Sequence, residues 1–347
     1  MLDDLKLINT RDKEDALGIA QKQWQQYKHN FNFSYEPPQE INKIVFSGMG
    51  GSGLAAKVFL NWPKVKVPFD VVQDYDLPSY IDQNTLLIIS SYSGNTEEEI
   101  SVINHALELK SDLNDRLMLI VITSGGKLQE IAEQNNLPII LLPSGYQPRY
   151  TIGFQLRALC EITDAINLTE STTNELEATA EWLKDKLDQW EPTIPTKNNR
   201  AKQLAQEAVG KSVVIYSSNK FSSVAYKWKI NFNENANSIA WWNQYSEFNH
   251  NEFIGWTNLS IEKLYTVFDL RSTLDNDQIK KRFEISAQLL SGKRPSPEVV
   301  ELEGDTLLKQ ILWGIGLGDF VSLYTAILSG IDPTPVALIE EFKHRLA

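Results

Sequence analysis

The sequence predicts an α/β protein with two doubly wound parallel sheets, a helical leader before them and an amphipathic helix at the C-terminus. Three observations lead there. The chain has 347 residues, enough for about two domains of roughly 150 residues with a core each. Short β-branched and aliphatic runs alternate with helix-length amphipathic stretches, the pattern of parallel strands buried on both faces. Finally, KIVFSGMGGSGLAAKVF from Lys43 and SVVIYSSNKFSSVAYKW from Ser212 share one strand-loop-helix layout. Two halves of like topology, descended from a duplication, are the economical reading, although any two strand-helix units share this much pattern.

Residues 1–40 form the leader, with Ala16, Ile19, Ala20 and Trp24 on one helical face and Pro37-Pro38 ending it. In the first domain, 41–167, strands are expected at Ile44–Phe46, Phe69–Val72, Leu86–Ser90, Leu117–Thr123 and Pro138–Leu142. Helices fall at Leu54–Leu60, Glu97–Leu109, Leu128–Asn135 and Gly153–Ile166. Residues 168–205 are charged, helical in pattern and then broken by Pro192 and Pro195, which reads as a linker. The second domain, 206–347, restarts the alternation. Val213–Tyr216, Tyr265–Leu270 and Val299–Leu302 are its strands, and Ser222–Phe232 and Gln278–Leu290 its helices. Thr306–Ser329 is long and apolar, but Lys309 and Asp319 within it argue for a buried helix over a membrane span. Val336, Ile339 and Phe342 mark the C-terminal helix.

Composition narrows the function. Lys plus Arg number 33 and Asp plus Glu 45, a net charge of −12, which disfavours nucleic acid and anionic membranes and leaves a small ligand or a protein as partner. Four histidines and one cysteine, Cys160, build no Cys-rich or His-rich metal cluster, so no metal is expected. Chemistry then rests on carboxylates, hydroxyls, Lys, Arg or a single His. The start MLDDLKLINTRDKED has no apolar signal core, and a lone cysteine forms no internal disulfide. A cytoplasmic protein is expected.

Gly48-Met49-Gly50-Gly51-Ser52-Gly53 follows a strand, opens a helix and matches G-x-G-x-x-G, with Asp70 or Asp74 about twenty residues on. A nicotinamide or flavin enzyme is one reading. The other is any phosphate, since a glycine turn at a helix start presents free N–H groups. Ser90-Ser91-Tyr92-Ser93-Gly94-Asn95-Thr96 also runs straight into a helix. Thr96 with Glu99 fits a capping box, yet a cap needs none of Ser91, Ser93, Gly94 or Asn95. A hydroxyl-lined cup on a positive helix end suits a terminal phosphomonoester, which favours a sugar phosphate over a dinucleotide. Further on, Glu234 sits among amides in Asn233-Glu234-Asn235-Ala236-Asn237, on a helix whose other face is Val224, Ala225 and Trp228. It belongs to neither a charge run nor a core stripe. A general base and an ordinary helix-end Glu are both open there.

GMGGSG, SYSGNTEE, ITSGG, QPR, NENAN, NHNE and DPTPV, in that order, resemble the bifunctional phosphoglucose/phosphomannose isomerases of the sugar-isomerase (SIS) superfamily, from about residue 40 to the C-terminus. The resemblance implies two SIS domains of flavodoxin-like type. It also implies interconversion of glucose 6-phosphate or mannose 6-phosphate with fructose 6-phosphate, without cofactor or metal, in a site between domains and at a dimer interface. Aldose–ketose isomerisation needs a base between C1 and C2, a group to open the ring and a cation for the enediolate oxygen. By the resemblance, Gly51, Ser52, Ser91, Ser93 and Thr96 bind phosphate, Glu234 is the base and Arg149 faces the oxyanion. His250, from the neighbouring subunit, opens the ring with Lys343. This chain departs from the family pattern at Leu54-Ala55-Ala56, where further glycines are common, and in Trp241, Trp242 and Tyr245 before NHNE. A non-catalytic sugar-phosphate sensor and a dinucleotide oxidoreductase are the competing readings.

Overall fold

The computed structural model describes residues 1–258 and 264–346. The chain forms two compact units, one of residues 23–181 and one of residues 1–22 together with 182–347. The leader is divided between them. Helix α1 (Leu5–Arg11) is capped by Asp4, and α2 (Ala16–Lys22) is followed by a 3-10 turn, Gln23–Lys28.

The 23–181 unit runs β1 (Lys43–Ser47), α3 (Gly50–Asn61), β2 (Phe69–Val72), β3 (Thr85–Ser91), α4 (Glu97–Asp112), β4 (Met118–Thr123), α5 (Gly126–Gln134), β5 (Ile139–Leu141) and α6 (Ile152–Ala165). Among the described residues its sheet has the order β2-β1-β3-β4-β5, every pair parallel. TLLIISS in β3 and MLIVIT in β4 are buried at every position because helices cover both faces of the sheet. Val45, Leu87, Ile89 and Val121 pack with Val102, Ile103 and Ala106 of α4 and with Leu128 and Ala132 of α5. The chain leaves this unit within α7 (Thr172–Leu187). The 168–205 stretch is ordered, packed structure, with Leu176, Ala180, Leu183, Leu187 and Trp190 all buried.

The other unit adds α8 (Arg200–Ala208), β6 (Ser212–Ser218), α9 (Ser222–Ala236), β7 (Ala240–Tyr245), α10 (Glu252–Gly255), β8 (Tyr265–Arg271), α11 (Asp277–Leu289), β9 (Glu298–Glu301), α12 (Leu307–Ser329) and α13 (Ala337–Leu346). Its sheet, β7-β6-β8-β9, is parallel and repeats the order of the first four strands of the other. Strand β7 was not expected from sequence. Helix α12 is long and apolar enough to cross a membrane, but 94% of its most apolar window is buried, against α2, α8 and α9.

In each sheet the first strand is flanked by the second on one side and the third on the other. The crevice outside the carboxyl ends of β1 and β3 is therefore a topological switch point, where ligands bind in open α/β sheets. The loops that open α3 and α4 border it.

Candidate active site

Two glycines shape the crevice. A Cβ on Gly51 would lie 2.6 Å from Pro148 O and 3.2 Å from Arg149 N, so the first turn of α3 touches the backbone of the 3-10 turn Pro148–Tyr150. Gly94 has φ +68, and a Cβ there would meet Gly125 O at 1.7 Å, which interlocks the loop after β3 with the loop after β4. Leu128 N donates to Gly94 O at 2.8 Å and Lys127 N to Asn95 Oδ1 at 3.0 Å.

The hydroxyls converge on this frame. Ser52 Oγ accepts from Tyr92 N at 3.2 Å, Ser91 Oγ accepts from Gly94 N at 3.1 Å, and Ser91 Oγ and Thr96 Oγ1 share a 2.6 Å hydrogen bond. Ser52 and Ser91 are buried, whereas Ser93 is exposed, its Oγ accepting from Asn95 N at 3.3 Å. The capping box at Thr96 and Glu99 is not formed. Thr96 stands at the N-cap with extended backbone but makes no side-chain cap bond, its hydroxyl being taken by Ser91. Arg149 follows β5 at the same sheet edge, 2% exposed, with its guanidinium carbon 4.6 Å from the Tyr150 ring centre. Tyr92 OH donates to Pro143 O and accepts from Tyr146 N, which ties the hydroxyl loop to the approach to Arg149. Helix starts, hydroxyls and an arginine thus lie together at one edge of the sheet, the kind of surface that suits an anion.

Glu234 lies in the last turn of α9, which ends in the left-handed residue Asn237 (φ 47). It is half-buried and opens on a cavity of about 670 Å³ lined also by Asn233, Asn237, Asp332, Val336 and Ile339, a size typical of small-molecule sites. The opposite side of α9 is pinned to α12. Lys227 Nζ lies 2.8 Å from Asp319 Oδ1, Asn231 bridges the two at 2.7 Å each way, and Asn235 Nδ2 donates to Ser322 Oγ at 2.9 Å. Of the amides around Glu234, Asn235 serves this seam, while Asn233 and Asn237 border the cavity. Lys343 is exposed on α13, one turn beyond Ile339 of the cavity wall.

His250 ends the 3-10 turn Glu247–His250 and is exposed, while its neighbours fix the turn. Asn249 Nδ2 donates to Ser286 Oγ at 2.9 Å and its Oδ1 accepts from Arg282 at 3.1 Å. Glu252 accepts from Asn243 Nδ2 at 2.7 Å and from the Tyr216 hydroxyl. NHNE is thus one presented imidazole among structural residues.

Glu234 and His250 do not meet. Adjacent residues of β8 point to opposite faces of the sheet. Phe268 packs on Trp228 and Phe232 of α9, whereas Val267 joins Tyr216, Tyr245, Phe248 and Trp256, which flank His250. Within one chain the two residues belong to opposite faces of the second sheet.

A family model described as the bacterial phospho-glucose isomerase C-terminal SIS domain matches residues 197–346. A bifunctional phosphoglucose/phosphomannose isomerase of Caldicellulosiruptor bescii is 36% identical over 314 residues, 89% of this chain and 91% of the relative. This chain belongs to the bifunctional phosphoglucose/phosphomannose isomerase family. A member from Aquifex aeolicus is 33% identical over 306 residues, 87% of this chain and 90% of its own. A tagatose-6-phosphate ketose/aldose isomerase from Escherichia coli superposes with a TM-score of 0.66 at 15% identity, covering 92% of this chain and 93% of the other, a likeness of fold.

The first sheet of this isomerase-family chain has the flavodoxin-like order 2-1-3-4-5, not the 3-2-1-4-5-6 order of dinucleotide-binding sheets. Asp70 lies within β2, where its carboxylate accepts from the Tyr80 hydroxyl at 2.6 Å. The glycine fingerprint therefore lies in a sheet that lacks the dinucleotide-binding strand order.

Proposed function

We propose that this chain interconverts glucose 6-phosphate and mannose 6-phosphate with fructose 6-phosphate by proton transfer through a cis-enediolate. The observation that carries the reading is the hydroxyl cup, Ser52 and Thr96 at the starts of α3 and α4 with Ser91 at the end of β3, in a chain of this family. The phosphate anchors there, with Ser93 and the Gly51 backbone at its rim, and fixes the sugar for the chemistry. Glu234 takes the proton from C2 of the aldose and returns it to C1. Arg149 holds the negative charge that develops on the enediolate oxygen. His250 and Lys343 open the ring by moving a proton between the C1 hydroxyl and the ring oxygen. These steps need no cofactor or metal.

The separation of Glu234 from His250 supports a homodimer in which each copy supplies His250 to the other, and the reaction suits cytoplasmic glycolysis and gluconeogenesis. A coupled assay with each hexose phosphate tests the activity. Glu234→Gln should lower kcat at least ~10²-fold with KM little changed. Mixing inactive Glu234→Gln and His250→Ala chains should restore about a quarter of wild-type activity, because about half the dimers are hybrids with one of two sites intact. Hybrids that stay inactive sink the shared site.

A further inference from the structure

Glu99 stands three residues after Thr96, in the first turn of α4. Its side chain turns inward instead of back to the cap. It is 1% exposed, and among the described residues neither carboxyl oxygen has a hydrogen-bond partner. The N–H groups that bear on it are its own and that of Met49 in the glycine loop, neither in hydrogen-bonding geometry. Its charged surroundings offer no counter-ion. On its own helix Glu98 adds a like charge, β3 and residues 47–49 carry no charge, and α5, packed on α4, has only the exposed Lys127, Glu130 and Glu133. Burial without a partner pushes this carboxyl up to about 8.

We propose that Glu99 is a positioning residue of the phosphate cup that works as the neutral acid, and that its deprotonation turns the cup against a phosphate dianion. The proposal rests on the cup holding phosphate. Glu99 lies within about one helical turn, 5.4 Å of rise, of Thr96. As an acid it leaves the positive ends of α3 and α4 uncompensated, free to attract the ligand. As a carboxylate it cancels part of that field and repels the dianion. At an effective dielectric of about 20 and a separation near 7 Å, the repulsion weakens binding by about fiftyfold or more.

By linkage, bound dianion favours the protonated form, so the complex keeps its proton to higher pH than the free protein. KM should therefore rise at least ~tenfold from pH 7 to 9.5 with kcat nearly level, over a range where a phosphate monoester is already a dianion. The test is initial rates with fructose 6-phosphate over that range for the wild type and Glu99→Gln, whose amide cannot ionise. A KM that climbs in the wild type and stays level in Glu99→Gln supports the role. A level wild-type KM, or the same climb in both proteins, overturns it. Turnover at pH 7 judges the isomerase reading separately. If fructose 6-phosphate binds without turnover, the same pH series is read from the calorimetric Kd; if it does not bind, both readings fall.

Discussion

The two parallel sheets share one strand order and use opposite ends of the equivalent helix. After β1, Gly50 and Gly51 let α3 start in the crevice and touch the Pro148–Arg149 backbone, so the helix N-terminus borders the hydroxyl loop after β3. After β6 the same place is taken by the 3-10 turn Asn219–Phe221, and Phe221 is fully buried there. The second sheet's helix, α9, instead offers its C-terminal turn, where Glu234 meets the cavity. In the proposed reaction the first sheet's helix binds an anion where it begins and the second sheet's helix offers a base where it ends, and the side chains at the first turn decide which.

The sharpest way to break this comparison is to empty the plug. Phe221→Ala removes a fully buried aromatic and should cost about 3–5 kcal/mol in the unit that holds it, read as a lowered urea midpoint. No phosphate affinity should appear there, because the hydroxyls after β8 are already engaged: Ser272 donates to Gln310 and accepts from Leu274 N, and Thr273 accepts from Gln310. A loss below ~1 kcal/mol would mean that Phe221 is no plug, and a new phosphate site would mean that Phe221 alone separates the two crevices.

Filling the cup is the reverse experiment. Gly51→Ala puts a Cβ 2.6 Å from Pro148 O, and relief requires the Arg149 turn to shift. Overpacking of this kind costs about 1–3 kcal/mol. It should lower kcat and raise KM together, since cup and arginine move as one, and a variant with unchanged kinetics would uncouple them.

The comparison also explains what could be read without coordinates. Strands β1, β3 and β4 were legible because burial on both faces makes continuous apolar runs, and the hydroxyl loop because Ser90 to Thr96 lie together in sequence, Ser52 being marked separately by its glycine motif. Strand β7 was hidden. At the sheet edge AWWNQY is buried only at Ala240 and Tyr245, so Trp241 and Trp242 read as a departure at the mouth of a site. Glu99 was read as a cap because spacing reports which residues can meet, not which way a side chain turns. Glu234 and His250, sixteen residues apart, look like neighbours, yet a helix end, a strand and a turn between them carry the chain to the other face of the sheet.

The smallest effect belongs to Ser93, and it separates the hydroxyls that build the cup from those that only line it. Ser91 is buried, and its Oγ serves both Thr96 Oγ1 and Gly94 N. Ser91→Ala would strip a partner from the buried Gly94 N–H and from the half-buried Thr96 hydroxyl, besides removing a proposed phosphate donor. Ser93 is exposed, and among the described residues its hydroxyl's one bond is a 3.3 Å contact from Asn95 N. A single neutral hydrogen bond at such a position is worth about 0.5–1.5 kcal/mol, so Ser93→Ala should raise KM roughly two- to tenfold and leave kcat and stability alone. A Ser93→Ala loss as large as that of Ser91→Ala would place the phosphate at the rim of the loop, outside the starts of α3 and α4.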